Sequence, residues 1–296
     1  MGCTVRRASA LSGITLAGQG FCPNPVLRRE KLRCFDFDRL ARGCSNRPHV
    51  ALAFRGDPKA RNFLAGLLDS DLGLLPEYRG AKVYWLFHDN YLAAKVLNAS
   101  HPQIAQTIRA SIDREGVHKS GKIELLFGEA ESPLPFRQYQ LLDVRRSSNK
   151  VIRTEIVTDA RLDGWAQYAD LLLLACVAET NQSAARRHWD AAVRLWDGKG
   201  FLDAAAKHQQ QYATYKLGLA LIAASHLSPP AEPPDGLLDK LLSLQSDSGG
   251  WITDYDATGR KHGLANVETT CLAILGIEAF ARVSANPPRA SAAPPH

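Results

Sequence analysis

The run Leu171-Leu172-Leu173-Leu174-Ala175 leaves a helix without a polar face. Such a helix must be covered on both sides, by lipid or by other helices. A membrane span needs about 20 apolar residues, and no run in the chain approaches that length. This helix is therefore expected in the inner of two protein layers. Residues 212–226 and 266–283 carry Ala and Leu around most of their circumference as well. The pattern predicts a mainly α fold in which inner helices are ringed by outer ones, an α/α toroid.

Local signals divide the rest of the chain. Asp57-Pro58 starts a helix reaching about Leu68, with Pro at its first position. Asp89 precedes the apolar run Tyr91, Leu92, Ala94, Val96 and Leu97, and Pro102 opens a helix with Ile104, Ile108 and Ile112 on one stripe. Between residues 121 and 158 the pattern changes. Residues 123–127, 139–144 and 151–157 are short and rich in β-branched or aromatic residues, and Gly, Pro, Ser and Asn separate them. They predict three strands, a small antiparallel insertion between helices. Helices resume at Gly164, at Asn181, at Tyr212, at Leu237 and at Asn266. Residues 1–48, with Pro23, Pro25 and Pro48, show no periodicity and are expected to be a poorly ordered extension; 286–296, rich in Pro, Ala and Ser, a disordered tail. The toroid domain is placed at 49–285.

Three loops share an order of residues: Asp71-Leu72-Gly73-Leu74, Asp197-Gly198-Lys199-Gly200-Phe201 and Asp247-Ser248-Gly249-Gly250-Trp251. Each has Asp, then Gly, then a large apolar residue. Gly takes the positive φ that ends a helix, Asp bonds the freed amides, and the apolar residue plugs the gap between hairpins. The third loop extends further. Gln245, Gly249 and Trp251 stand at the spacing of the QW repeat, and this segment resembles that of triterpene cyclases and prenyltransferase-like toroids. The resemblance implies an α/α toroid and a structural role for Gln245 and Trp251. It implies no particular chemistry. The acid motif of class II cyclases is missing, since Asp69-Ser70-Asp71 stops one carboxylate short and Ala257 follows Asp254-Tyr255-Asp256. The zinc set of protein prenyltransferases and the Cys-Gly-Glu-Gln run of thioester toroids are missing too.

Three polar clusters are weighed as chemistry, and one of them, the loop Trp196 to Phe201 with His208, Tyr212, Tyr215 and Lys216, is mostly accounted for by the repeated loop pattern, which leaves two. The octet Tyr84-Trp85-Leu86-Phe87-His88-Asp89-Asn90-Tyr91 sets aromatic faces beside a carboxylate and an amide, a usual way to hold a sugar ring. It also resembles the aromatic–Asp segment of six-hairpin glycosidases and epimerases. The other cluster is Asp254, Asp256, His262, Asn266 and Glu268, carboxylates and an imidazole suited to general acid–base work. Asp89, Asp254, Asp256 and Glu268 are the acid or base candidates, with His262 as orienter or proton shuttle. Trp85, Asn90, Tyr91, Trp251 and Asn266 are the substrate-binding candidates. Helix dipoles at Asp89 and Glu268 favour the carboxylate form by about 0.3–1 kcal/mol, so the acid is expected to be Asp254 or Asp256. Each residue also has a structural reading: Asp89 and Asn266 as helix caps, Asp256 as a turn residue. The expected function is a carbohydrate- or polyol-acting enzyme of hydrolase, lyase or epimerase type, its small-molecule or glycan substrate held in a carboxylate-lined central cavity. The alternatives are a diverged isoprenoid cyclase-like enzyme and a non-catalytic toroid binding a peptide or protein.

Charge and cysteines narrow the partners. The net charge is +6, but residues 1–61 hold twelve basic and four acidic side chains, so the remainder is slightly acidic. A body of that kind is not built for specific nucleic-acid binding. The cysteines form no CxxC pair, and Cys176 and Cys271 sit in apolar helical runs as small core residues. No metal or cofactor is expected, and the compartment expected is the reducing cytoplasm. Arg6-Arg7 followed by 8–18 resembles a twin-arginine export signal or an Arg-rich transit peptide.

Overall fold

A computed structural model of the protein describes residues 58–129, 136–147 and 149–285; the expected N-terminal extension and C-terminal tail lie outside them. Pro58 opens α1 (Pro58–Ala65), which buries Ala60, Arg61, Phe63 and Leu64. Strand β1 (Val83–Trp85) leads into a π-helical turn (Leu86–Tyr91) and α2 (Leu92–Leu97). Helix α3 (Pro102–Arg114) turns Ala105, Ile108 and Ile112 inward, a narrow stripe fitting an outer helix. A 3₁₀ turn (Ile123–Phe127) and the strands β2 (Arg137–Ser147) and β3 (Lys150–Arg161) follow.

Helix α4 (Ala169–Ala178) carries the four-leucine run and is buried from Ala169 through Val177. It packs between α5 (Gln182–Val193) and α7 (Tyr215–His226). The amide of Ala184 donates to Asn181 Oδ1 at 3.0 Å, so the cap read from the sequence starts α5. The short α6 (Ala204–Gln209) and β4 (Tyr212–Ala213) precede α7. Helix α8 (Leu237–Ser243), the strands β5 (Ile252–Tyr255) and β6 (Lys261–Ala265), and α9 (Val267–Ala285) complete the described fold. Helices α7 and α9 meet at two glycines. A Cβ on Gly276 would lie 2.3 Å from the Gly218 carbonyl oxygen, and one on Gly218 2.4 Å from that of Leu272. No side chain fits between these backbones. Helix α9 also packs on α1, α2 and the π turn.

The fold is helix-rich but mixed. One sheet has the order β1-β3-β2, with β1 parallel and β2 antiparallel to β3. The other is an antiparallel β4-β5-β6 sheet. The strand expected at 123–127 is a 3₁₀ turn. Glu124 accepts the Ser120 amide at 2.5 Å and its hydroxyl at 2.7 Å, and Gly128 closes the turn at φ 67°. Five apolar-rich residues do not define a period, so this local bonding decides. The third strand of that sheet is β1, from far upstream. The β4-β5-β6 sheet, not expected, takes Asp254 from a loop into β5.

The three Asp–Gly–apolar loops close alike. Antiparallel bridges join Asp69 to Leu74, Trp196 to Phe201 and Gln245 to Trp251. Asp69 Oδ1 accepts the amides of Asp71 and Leu72, and Asp197 Oδ1 those of Lys199 and Gly200. Both second carboxylate oxygens accept a tyrosine hydroxyl, Tyr84 at 2.7 Å and Tyr212 at 2.5 Å. In the first copy the bonding Asp is thus Asp69, not Asp71. Trp251 is fully buried and donates its indole N–H to the Leu241 carbonyl in the last turn of α8, at 2.8 Å. The Gln245 side-chain amide donates to the Gly249 carbonyl at 2.9 Å.

Candidate functional site

Asp89 lies inside the π turn, where burial is near complete. Trp85, not Asp89, is the N-cap of that turn and offers no side-chain cap bond. Asp89 instead accepts the backbone amide of Glu268, in the first turn of α9. The chain positions this meeting twice over. Val267 donates its amide to the Glu77 carbonyl at 3.0 Å, and Tyr78 bridges to Asn266. Asn266 Oδ1 accepts the Thr269 amide at 2.9 Å and so caps α9. Two carboxyls far apart in sequence thereby share one interior.

Around them stand charged groups from other elements. Lys122, just before the 3₁₀ turn, pairs with Glu155 of β3 at 2.8 Å. His88 Nε2 lies 3.5 Å from the same Glu155 oxygen, and its ring meets Trp85 edge-on at 6.0 Å. Tyr139 of β2 lays its ring 4.2 Å from Lys122 Nζ. Tyr215 donates to Asp170 of α4 at 2.9 Å. Lys216 reaches Asp203 at 2.5 Å and Asp170 at 3.9 Å. Asp203 also caps α6 through the Ala206 amide and holds the Ala169 amide at the start of α4.

Burial dominates the electrostatics. It raises the Asp89 carboxyl well above its ordinary value, and the nearby Glu77 and Glu268 add to this against the opposing amide bond. Burial likewise raises Glu268, which Lys122 opposes and Glu155, Glu77 and Asp170 reinforce, to about 8. A helix N-terminus opposes such a shift by only about 0.3–1 kcal/mol, whereas a rise from 4.5 to about 8 corresponds to roughly 5 kcal/mol. The expectation that both would be held as carboxylates is therefore corrected. Tyr215 is also raised by burial and by the acids Asp170, Glu268 and Asp203. Asp89 Oδ2, Glu268 Oε1, Asp170 Oδ1 and Tyr139 Oη have no hydrogen-bond partner. Leaving a buried polar atom so costs about 1–3 kcal/mol.

The other candidates sit elsewhere or act otherwise. Asp256 lies in the exposed turn between β5 and β6. Hydrogen bonds from His262, Thr258 and the Arg260 amide hold its carboxyl far below the usual range. It is therefore not the raised acid expected there, because solvent and donors stabilise its charge. His262 Nε2 faces Asp256 at 2.9 Å. Asp254 is half-buried in β5 opposite His262. Asn90 spends its amide on backbone: it accepts from the Leu75 amide at 2.6 Å and donates to the Leu75 and Trp85 carbonyls at 3.0 and 2.8 Å. Tyr91 donates to Glu129 and stacks near Phe87 and Phe127 at the surface. Trp251 is plugged into the third loop. Of the candidates, the structure brings Asp89 and Glu268 together, with Asn266 beside them.

Lys122, Glu155 and Asp170 were not among the sequence candidates, and Tyr215 and Lys216 were noted only beside the second loop, without a role in the site. A signal existed: Asp170 and Lys216 interrupt helices that are otherwise apolar all round, and a charge there must be buried and paired. Among the described residues no three His, Cys, Asp or Glu groups converge to hold a metal ion, and no helix is long and apolar enough to cross a membrane. Compared with known protein families and with curated proteins, the chain matches none.

Proposed function

We propose that the chain is an α/α-toroid enzyme that performs acid–base chemistry on a carbohydrate or polyol, with Asp89 and Glu268 at its centre. The toroid reading is supported by successive packing of the π turn and α2 on α9, α9 on α7, and α7 on α4. The 3₁₀ turn against α4, and β3 against the π turn, return the series to its start. The observation that carries the function is the pair of buried carboxyls, each with one oxygen unpartnered. Strongly perturbed carboxyls facing one interior are the usual mark of proton-transfer sites.

Glu268, raised to about 8, keeps its proton at neutral pH and can give it to a substrate oxygen or carbanion. Once ionised, it becomes the base that takes a proton back. Asp89, also raised by burial, holds the second exchangeable proton. The Lys122–Glu155 pair fixes a positive group near Glu268 and so stabilises its ionised stage. Charged and hydroxyl groups around the pair suit a hydroxylated ligand better than an isoprenoid.

Proton transfer has a readout that needs no prior substrate. The full chain is incubated with sugars, glycosides and polyols in D2O, and deuterium at carbon and bond cleavage are followed by NMR. Turnover by the wild type should fall 10²–10⁴-fold in Asp89→Asn and Glu268→Gln, with melting temperatures not lowered. Variants that melt early yet keep their turnover would leave these carboxyls a purely structural role.

A further inference from the structure

The hairpin of β2 and β3 leaves one long edge open. The sheet runs β1-β3-β2, so among the described residues β2 has a neighbouring strand on one side only. It spans Arg137–Ser147, 11 residues, and its register with β3 is regular from Tyr139 to Asp143. About half of its backbone N–H and C=O groups therefore face outward with no ladder partner. Proteins blunt such edges with Lys, with Pro or with a covering segment. Residues 137–147 contain neither Lys nor Pro. Leu141, Leu142 and Val157 of this hairpin are three of the four large apolar side chains that stand exposed among the described residues. Leu141 and Leu142 are adjacent on the strand and point to opposite faces, so the edge is apolar on both sides. The strand itself is held firmly. Tyr139 sets its ring 4.2 Å from Lys122 Nζ, and Arg145 donates to both Glu115 oxygens at 2.6 and 3.2 Å.

Charge selects what can cover this edge. Arg137 stands at one end of β2 and Arg145 and Arg146 at the other, with the leucines between them. Asp143, the one acid of the strand, is already held by Arg146 and Arg153. Residues 137–161 hold six basic and three acidic side chains. A second copy of β2 would set arginine ends against arginine ends in either direction, and like charges facing across strands destabilise the pairing. Residues 1–57 hold ten basic and four acidic side chains, so they repeat the charge of the edge. Residues 286–296 hold four prolines and no acid, and a proline cannot donate to a ladder. A lipid surface can meet arginines and leucines but offers no row of donors and acceptors to the open backbone. An extended peptide with an apolar centre and acidic ends supplies the backbone, the apolar contacts and the charge together. We infer that the outer edge of β2 is a docking site for such a segment of a partner protein.

The segment adds to the sheet as a further strand beside β2. Main-chain hydrogen bonds hold it, and its side chains set the choice of partner. Alternate side chains of its centre reach Leu142 on one face, and Leu141 with Val157 on the other. Its acidic ends meet Arg137 and the Arg145–Arg146 pair. The Arg146 side chain is 66% exposed, and ion pairs so open to solvent hold weakly. A partner's carboxylates can therefore share its guanidinium with Asp143. The edge is separate from the Asp89–Glu268 pair, and its binding stands or falls without the acid–base reading.

The test uses the full chain and a synthetic peptide with Val-Ile-Val at its centre and Glu-Glu at each end. Beside it run the same peptide with Lys for every Glu, one with Pro for the central Ile, and anionic phospholipid vesicles. Binding is followed by fluorescence anisotropy, and hydrogen exchange is read amide by amide. In the free chain the outward amides of 137–147 should exchange fast. The acidic peptide should slow them by about tenfold or more and leave the remainder of the chain unchanged. The Lys and Pro peptides should bind about tenfold more weakly or worse, and added salt should weaken the acidic peptide. Arg146→Glu and Leu142→Ser should each lower its affinity by about tenfold, with unchanged circular dichroism. The wild-type comparison of peptides decides even if a variant fails to fold. Lys or Pro peptides bound as well as the acidic one would overturn the inference, as would vesicles that protect the edge where the peptide does not. Edge amides already slow in the free monomer would mean that the chain covers its own edge. Protection that grows with protein concentration would assign the edge to a second copy. Either outcome ends the proposal.

Discussion

Asp256 and Glu268 flank the same strand, β6, and are held in opposite ways. Asp256 sits in an exposed turn where His262, Thr258 and the Arg260 amide all donate to it, and its charge is favoured. Glu268 sits at the start of α9, buried among other acids, and its proton is favoured to about pH 8. Both are carboxyl groups, and the helix start would favour charge on Glu268; burial reverses that order. Burial without enough donors outweighs a dipole of a few tenths of a kcal/mol to about one, so the neutral acid is found where the local sequence favours a carboxylate.

The comparison predicts its largest effect in the pH dependence of stability. The folded Glu268 carboxyl lies above its ordinary 4.5, so its contribution is fully present below pH 4.5 and is lost as pH rises through about 8. The loss amounts to about 4–5 kcal/mol. Urea unfolding at pH 5, 7 and 9 should show Glu268→Gln progressively more stable relative to wild type as pH rises. Parallel curves would mean that Glu268 is solvated like Asp256. Next in size is Lys122→Ala, which strands Glu155 in the interior and should cost about 3–5 kcal/mol. It should also push the pH-dependent loss higher, because Lys122 opposes the rise of Glu268. The double change Lys122→Met, Glu155→Leu should recover most of the stability.

Asn266→Ala removes the α9 cap and should lower stability by about 0.5–2 kcal/mol, read from the same unfolding curves. Because that cap sets the first turn of α9, the pH profile of Glu268 should shift with it. The smallest effect belongs to Asp256→Asn. Its carboxyl is depressed, so whatever it contributes is present above pH 3.8 and lost as pH falls below it. Melting at pH 7 should be nearly unchanged. A loss as large as that at Lys122 would show the β5–β6 turn to be structural and end the contrast.

Much of the helical frame was legible. The Pro58 and Pro102 starts and the caps at Asn181 and Asn266 are local chemistry, written within four residues of the helix they begin. The apolar circumference of α4 announced that it would be covered on both sides, and nine of its ten residues are buried. The loops ending in Leu74, Phe201 and Trp251 were readable as one device because Asp, Gly and a large apolar residue each do a local job there. The region 123–127 was not readable, because a run so short fits strand or 3₁₀ turn alike, and Glu124 decides by folding back on Ser120.

The candidate site divides along the same line. Sequence alone determined that Asp89 and Glu268 lie near helix starts and that Asp170 and Lys216 stand in helices with no polar face. Periodicity and capping act over a few residues, and a single chain displays them. Only the tertiary structure decided that Asp89 accepts the Glu268 amide, that Lys122 meets Glu155, and that Asp256 stays in solvent. Those facts join residues from separate elements and depend on how much water remains around each carboxyl. Desolvation belongs to the assembled interior and to no local segment, so the protonation states on which the chemistry turns are fixed only when the helices close.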